Sequence, residues 1–237
     1  MTRHRPFGRW SSAIVIAWAS VIASEAAQQA GPLLHPVSGR RIAQIMGHSG
    51  AAWLDRSERE AEEAPSKAIA ALGLEAGDAV ADVGAGSGYY TIRLARVVGA
   101  TGRVYATDIQ PEMLALVRKK VAAERLSNVE LVLGAPSDPR LPAASVDLVL
   151  MVDVYHELAD PQGMLRALKR ALKPGGRLVL IEFRKESPWV PIREEHKMSI
   201  REARLELEAE AYVLERVIDV LPWQHILVFR LPRGGED

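Results

Sequence analysis

Two aspartates and three glycines have the types and spacing of a site for a ribose-containing ligand. Asp82 lies in an apolar run that leads into Gly84, Gly86 and Gly88, and Asp108 comes twenty-four residues after Gly84. Glycine accepts positive φ and lets a ligand approach the backbone closely, and the helix that follows offers unpaired N–H groups. A carboxylate at the end of the next strand can accept hydrogen bonds from both hydroxyls of a ribose. These residues therefore indicate a cofactor cradle at the edge of a parallel sheet.

The order of the glycines separates this turn from two common nucleotide motifs. A dinucleotide fingerprint needs its third glycine at position 89, which is Tyr89, and a P-loop needs a Gly-Lys-Ser/Thr step that does not follow here. The turn instead resembles motif I of the class I, Rossmann-like, S-adenosylmethionine (SAM)-dependent methyltransferases, D-x-G-x-G-x-G, matched by Asp82, Gly84, Gly86 and Gly88. The resemblance implies that the turn holds the methionine part of SAM and that Asp82 organises the loop.

The resemblance implies cofactor contacts in three further loops. After the second strand, Asp108 would bind the ribose and Ile109 would lie against the adenine. After the third strand, the family often has an acidic residue just beyond the glycine, where this chain has alanine and proline. The backbone of Gly134 and Ala135 would then hold the adenine. Asp153, beyond the fourth strand, completes the implied cofactor contacts.

Polar residues beyond the fourth strand are the candidates for catalysis, because this end of the sheet faces the methyl group. His156 could take a proton from a hydroxyl acceptor, since the unperturbed pKa of histidine lies near neutrality; a purely structural histidine is the alternative. Tyr155 is the second catalytic candidate. Methyl transfer is a direct SN2 attack in which alignment supplies much of the acceleration, so a base is needed only for weak nucleophiles. The candidates for binding the acceptor are His48, Glu182 and His196.

Alternating apolar segments and helical patterns predict the elements that position these residues. We expect an α/β fold: a doubly wound, seven-stranded, mostly parallel sheet with an antiparallel last strand, as in class I methyltransferases. The sequence divides into a methyltransferase domain at 66–231, preceded by an N-terminal lid or helical extension at 27–65. Strands are predicted near 80–83, 103–108, 128–133, 146–151, 177–183, 212–220 and 225–231, and helices near 51–64, 67–74, 113–124, 161–172 and 200–211.

The composition and the amino terminus indicate which partners the protein binds and where it is located. Lysines plus arginines and aspartates plus glutamates both number 30, so no net charge attracts nucleic acid. The chain has no cysteine, which removes thiolate sites, and we predict no metal site. Residues 1–26 have a basic start, an apolar run and small residues, the layout of a signal peptide. We therefore expect export to the periplasm or beyond, without a stable membrane span after processing; a short anchor and a cytoplasmic location are the alternatives.

These features lead to one functional hypothesis with two alternatives. We expect a SAM-dependent methyltransferase that moves a methyl group to a small-molecule acceptor. The segment after the fourth strand lacks the N-P-P-Y motif of enzymes that methylate nucleic-acid amino groups, so nucleic acid is not the expected partner. The alternatives are a protein carboxyl methyltransferase of the same fold and a SAM-binding sensor without catalysis.

Overall fold

A computed structural model describes residue 31 and residues 33–232 of the chain. The predicted signal peptide at 1–26 lies outside the described residues and stays a prediction. The strands are β1 Ala79–Val83, β2 Arg103–Asp108, β3 Val129–Leu133, β4 Val146–Val152, β5 Leu172–Arg184, β6 Lys197–Met198, β7 Val213–Ile218 and β8 Gln224–Arg230. The helices are α1 Ala51–Leu54, α2 Arg59–Glu63, α3 Pro65–Ala71, α4 Tyr89–Val98, α5 Pro111–Ala123, α6 Pro161–Ala171 and α7 Ile200–Glu208.

The sheet confirms the predicted fold class. Its strand order is β3-β2-β1-β4-β5-β8-β7, with β1 to β5 parallel, β8 antiparallel to β5, and β7 antiparallel to β8. An eighth strand, the two-residue β6, pairs in parallel with the end of β5 through Phe183 and Lys197. It comes from the segment between β5 and α7. The strand order reverses between β1 and β4, which is where open α/β sheets bind their ligands.

Burial on both faces of the sheet explains the apolar strands. Along β4, Leu148 and Leu150 pack in one core cluster and Val149 and Met151 in the other, as the two-residue period of a strand requires. Helices α3 and α4 cover the first face, and α6 and α7 cover the second. This three-layer arrangement is the usual reason that parallel strands have continuous apolar sequences.

The segment before β1 differs from its predicted helices. The predicted helix at 51–64 is divided into α1 and α2. Ala64 has φ 48°, a left-handed conformation that ends α2 just before the proline that begins α3. Residues 34–232 belong to the same compact unit as the sheet. In the part of the chain described here, no helix is long and apolar enough to cross a membrane.

Candidate functional site

The turn after β1 is built from glycines because its backbone has no room for side chains. Gly84, Gly86 and Gly88 have φ values of 73°, 52° and 82°, in the left-handed region. A Cβ on Gly84 would lie 2.6 Å from a methyl carbon of Val154, and one on Gly86 would lie 2.8 Å from the Leu54 Cδ1 atom. The backbone itself therefore forms one wall of the site.

Asp82 connects the strand before the glycine turn to the helix after it. Its buried Oδ2 atom accepts a hydrogen bond from the Thr91 hydroxyl at 2.5 Å, which ties the end of β1 to the first turn of α4. Burial, together with the nearby charge of Asp108, raises the pKa of Asp82 to about 6. The side chain does not line the cavity described below. This position fits the predicted role of organising the loop.

Asp108 holds the turn from the neighbouring strand. Its Oδ2 atom accepts the N–H of Gly86 at 2.9 Å, and its Oδ1 atom accepts the N–H of Gln110 at 2.8 Å. Burial raises the pKa of Asp108, while these hydrogen bonds lower it. Each carboxylate oxygen keeps a further acceptor site, and the residue lines the cavity. Asp108 can therefore accept hydrogen bonds from ribose hydroxyls.

A cavity opens at the carboxyl edge of the sheet, between the glycine turn and the segment before α1. Among the described residues that line it, none is a lysine or an arginine. Its lining is Ile45, Met46, Leu54, Val83, Gly84, Gly86, Thr107, Asp108, Ile109, Gln110, Met113, Gly134, Ala135, Pro136, Pro139, Val152, Asp153, Val154, Glu157, Leu158, Ala159 and Met164. Most of these side chains are apolar.

The loop after β3 lines the cavity, but two of its backbone amides are engaged within the fold. Ile109, Gly134 and Ala135 all face the cavity, as the predicted adenine contacts require. The N–H of Gly134, however, donates to the Asp108 carbonyl at 3.0 Å, and the N–H of Ala135 donates to the Asp138 carbonyl at 2.7 Å. Both amide hydrogens are thus already used inside the fold. Gly134 and Ala135 can therefore make van der Waals contacts with a ligand, but their N–H groups are not free to donate to it.

Asp153 presents an unpartnered oxygen at the end of β4. The residue has φ 54°, its Oδ2 atom accepts from the Gln224 amide at 2.7 Å, and its buried Oδ1 atom has no hydrogen-bond partner within residues 33–232. Burial raises the pKa of Asp153 well above its ordinary value, and the charges of Glu63 and Glu182 raise it further. A cation bound beside this oxygen would stabilise the carboxylate. Asp153 is also among the residues that line the cavity.

A single turn of 3-10 helix, Tyr155–Glu157, decides which residues after β4 reach the cavity. Because this helix has three residues per turn, positions three apart point the same way. Val154 and Glu157 line the cavity, whereas Tyr155 and His156 do not. Both side chains are buried against other parts of the chain, and their catalytic role stays a prediction.

Buried hydrogen bonds hold these two residues in place. Glu182, which is fully buried, accepts the N–H of Tyr155 at 3.0 Å through one carboxylate oxygen. Its other oxygen lies 2.6 Å from His156 Nδ1. The Tyr155 hydroxyl lies 3.5 Å from His35 Nε2, and the Arg40 guanidinium lies over the Tyr155 ring. Glu182 is therefore a positioning residue for the turn.

The predicted acceptor-binding residues also lie outside the cavity lining. The side chain of His48 is exposed, and its N–H donates to the Gln110 side chain at 2.9 Å. Glu182 lies beneath the turn, and His196 Nδ1 lies 3.1 Å from His156 Nε2. None of the three lines the cavity, and their role in acceptor binding stays a prediction.

Several lining residues were not predicted from the sequence. Met46, Leu54 and Glu157 come from segments that carry no recognisable motif. Gln110 also reaches the cavity, and its amide donates to the Met46 carbonyl at 2.9 Å. The sequence indicates their place in the cavity only through their position. Gln110 and Glu157 follow the ends of predicted strands, and Met46 and Leu54 are in the segment before the first strand.

Comparisons with known proteins agree with this geometry. Residues 81–180 match the Methyltransferase domain family. A SAM-dependent methyltransferase from Aquifex aeolicus has a similar structure, with a TM-score of 0.74 and 33% sequence identity; the match covers 78% of this chain and 98% of that one.

Two curated relatives match over a shorter region. The ubiquinone/menaquinone biosynthesis C-methyltransferase UbiE of Marinomonas sp. (strain MWYL1) is 33% identical over 118 residues, which cover 49% of this chain and 47% of the relative. A demethylmenaquinone methyltransferase of Tropheryma whipplei (strain Twist) is 41% identical over 112 residues, or 47% of this chain and 44% of the relative. The chain thus spans about half the length of the curated relatives it matches.

The fold, the glycine turn and the comparisons lead to one conclusion. The sheet has the methyltransferase strand order, Asp108 is hydrogen-bonded to the glycine turn, and a relative matched over nearly its whole length shares a third of its residues. The chain belongs to the class I SAM-dependent methyltransferases, and its cofactor is SAM.

Proposed function

We propose that this methyltransferase transfers the methyl group of SAM to a neutral small molecule of aromatic, quinone-like character. Bound SAM supplies an electrophilic methyl carbon on a sulfonium, which the acceptor attacks directly in an SN2 step. The chain's contribution is to hold the cofactor, orient the acceptor and exclude water from the space between them.

Three features of the cavity would hold the cofactor. Asp108 has acceptor sites left for the two ribose hydroxyls. The backbone wall at Gly84 and Gly86 leaves room for the methionine part of the cofactor. The free oxygen of Asp153 would accept a hydrogen bond from the ammonium group of that part, which would stabilise the carboxylate charge.

The charge of the cavity lining is the observation that carries the acceptor class. The polar side chains among the lining residues are those of Thr107, Asp108, Gln110, Asp153 and Glu157, and the rest of the lining is apolar or glycine. A phosphate or carboxylate on the acceptor would meet carboxylates without a lysine or arginine from the described lining to pair with it. A buried, unpaired anion is strongly unfavourable. The lining therefore favours a neutral and largely apolar acceptor.

The names of the curated relatives support the same class. Both relatives are named for ubiquinone or menaquinone biosynthesis or for demethylmenaquinone methylation. They share 33% and 41% of the aligned residues with this chain, over about half of its length. We therefore extend only the broad acceptor class to this chain: a neutral ring that the apolar lining can accommodate.

The segment before α1 gives the cavity its outer wall. Ile45 and Met46 line the cavity from this segment, Leu54 lines it from α1, and the Gln110 side chain hydrogen-bonds the segment to the start of α5. Because alignment supplies much of the rate in direct methyl transfer, closing apolar side chains over the reacting atoms is the contribution expected of this wall.

A transfer assay with SAM carrying a labelled methyl group tests the proposal. The purified protein is incubated with a reduced quinone, a matched aromatic carboxylate or a mixture of unmodified proteins, and the Asp108→Ala variant serves as the background control. We expect label in the neutral, solvent-extractable product. Label confined to protein would support a protein methyltransferase instead, and SAM binding without transfer to any pool would support a sensor.

A further inference from the structure

Three potential metal ligands meet beside the cavity. The Nε2 atom of His156 lies 3.1 Å from Nδ1 of His196, and an oxygen of Glu157 lies 3.9 Å from the first and 3.7 Å from the second. His156 is buried, and the side chains of Glu157 and His196 are mostly buried. No metal site is predicted from the sequence, in which the two histidines lie forty positions apart.

We propose that His156, Glu157 and His196 bind a divalent metal ion, with Zn²⁺ as the favoured ion. In a tetrahedral site with bonds of about 2.1 Å, ligand atoms lie about 3.4 Å apart. The three observed separations bracket that value. Two histidines and one carboxylate form a known zinc donor set that leaves a fourth position open.

The carboxylate of Glu182 gives the first ligand its required orientation. Its Oε2 atom lies 2.6 Å from Nδ1 of His156, so this nitrogen carries the hydrogen and Nε2 presents its lone pair to the cluster. Metal-bound histidines usually donate their second ring N–H to such a carboxylate. Glu182 is itself fixed by the N–H of Tyr155.

The backbone holds the ligands in place from two directions. His156 and Glu157 are in the 3-10 turn after β4, and His196 ends a second 3-10 turn, Glu194–His196, directly before β6. The pairing of β6 with the end of β5 fixes that second turn against the sheet. A metal would therefore join the segment between β5 and α7 to the end of β4.

A direct hydrogen bond between the two imidazoles is the competing explanation, since 3.1 Å also suits that contact. It does not account for Glu157, whose carboxylate faces both rings but lies beyond hydrogen-bond distance of either. A cation between the three atoms would satisfy all of them. Because Glu157 also lines the cavity, the metal would lie beside the acceptor space.

Metal titration of the full chain tests the site without any activity measurement. Protein freed of metal with a chelator is titrated with Zn²⁺ by calorimetry and with Co²⁺ by visible absorption, and its thermal midpoint is measured with and without Zn²⁺. We expect one equivalent of metal, tetrahedral Co²⁺ absorption and a higher midpoint. The His196→Ala and Glu157→Gln variants should lose these responses, and Glu182→Gln should weaken binding about 10-fold to 100-fold.

His48→Ala is the matched control, because this histidine is exposed and lies outside the cluster. It should bind metal as the unmodified protein does. SAM binding by His196→Ala shows whether that variant is folded, and His196→Gln replaces it if it is not. Equal metal affinity in the unmodified protein and the folded His196 variant would overturn the site, as would the absence of binding to the unmodified protein.

Discussion

The Oδ2 atom of Asp108 accepts the N–H of Gly86 at 2.9 Å, so the end of β2 fixes the glycine turn after β1. The same carboxylate lines the cavity and retains acceptor sites for a ligand. One side chain therefore couples the shape of the turn to recognition of the cofactor.

Replacement of Asp108 by alanine should weaken SAM binding by at least tenfold. The change removes charge-assisted hydrogen bonds to the ribose, each worth about 1.5–3 kcal/mol, and also releases Gly86. Calorimetric titration with SAM measures the effect. Asp138→Ala is the control, because that carboxylate lies outside the cavity lining, and equal affinities in the two variants would contradict the ribose role.

A methyl group on Gly84 should disrupt the cofactor wall. Gly84→Ala introduces left-handed strain of about 1–2 kcal/mol and places Cβ 2.6 Å from Val154. Gly175→Ala introduces similar strain at φ 80° but meets no atom within 4 Å. We expect both variants to have lower thermal midpoints and only Gly84→Ala to lose SAM affinity. A loss of affinity in Gly175→Ala as well would show that strain alone explains the result.

Asp153 should contribute more to SAM affinity than to the stability of the free protein. Burial and neighbouring carboxylates disfavour its charged form, so Asp153→Asn should leave the free energy of unfolding unchanged or higher while SAM affinity falls about tenfold or more. Asp147→Asn provides the contrast, since the Lys173 ammonium and the Ala79 N–H lower the pKa of Asp147 far from the cavity. That variant should lose stability and keep its SAM affinity. Unchanged SAM affinity in Asp153→Asn would contradict the ammonium contact.

Asp82 should make the free energy of unfolding depend measurably on pH. Its pKa rises from an ordinary value of 3.8 to about 6 in the folded chain, so the folded state binds more protons than the unfolded state between those values. The contribution of Asp82 to stability therefore falls as the pH rises through this window, by about 3 kcal/mol in total. Denaturant unfolding at several pH values should show a steeper loss of stability with rising pH in the unmodified protein than in Asp82→Asn, since other carboxyls with raised pKa values, such as Asp153, contribute equally to both. Parallel stability curves for the two proteins would be inconsistent with the assignment.

Much of the fold and the cofactor side of the site could be predicted from the sequence. Parallel strands buried on both faces have continuous apolar sequences, and the turn around Gly84 permits few alternatives because side chains do not fit there. Asp108 could be placed from its spacing, since strand length and helix length determine where the next strand ends. These features depend on local patterns that a single sequence displays.

The residues after β4 could not be assigned in the same way. A 3-10 turn points Glu157 into the cavity and His156 away from it, and the sequence does not distinguish this turn from an extended end. The approach of His196 to His156 depends on a two-residue strand and a contact across forty residues. Such tertiary contacts have no periodicity that could be detected.

Calorimetric titration of the unmodified protein with SAM, with NAD⁺ as the matched alternative nucleotide, tests the central claim most directly. The geometry of the glycine turn and Asp108 predicts a single SAM site and no comparable heat with NAD⁺. The absence of SAM binding at millimolar concentration, in a protein shown to be folded, would contradict the assignment of this cavity to the cofactor.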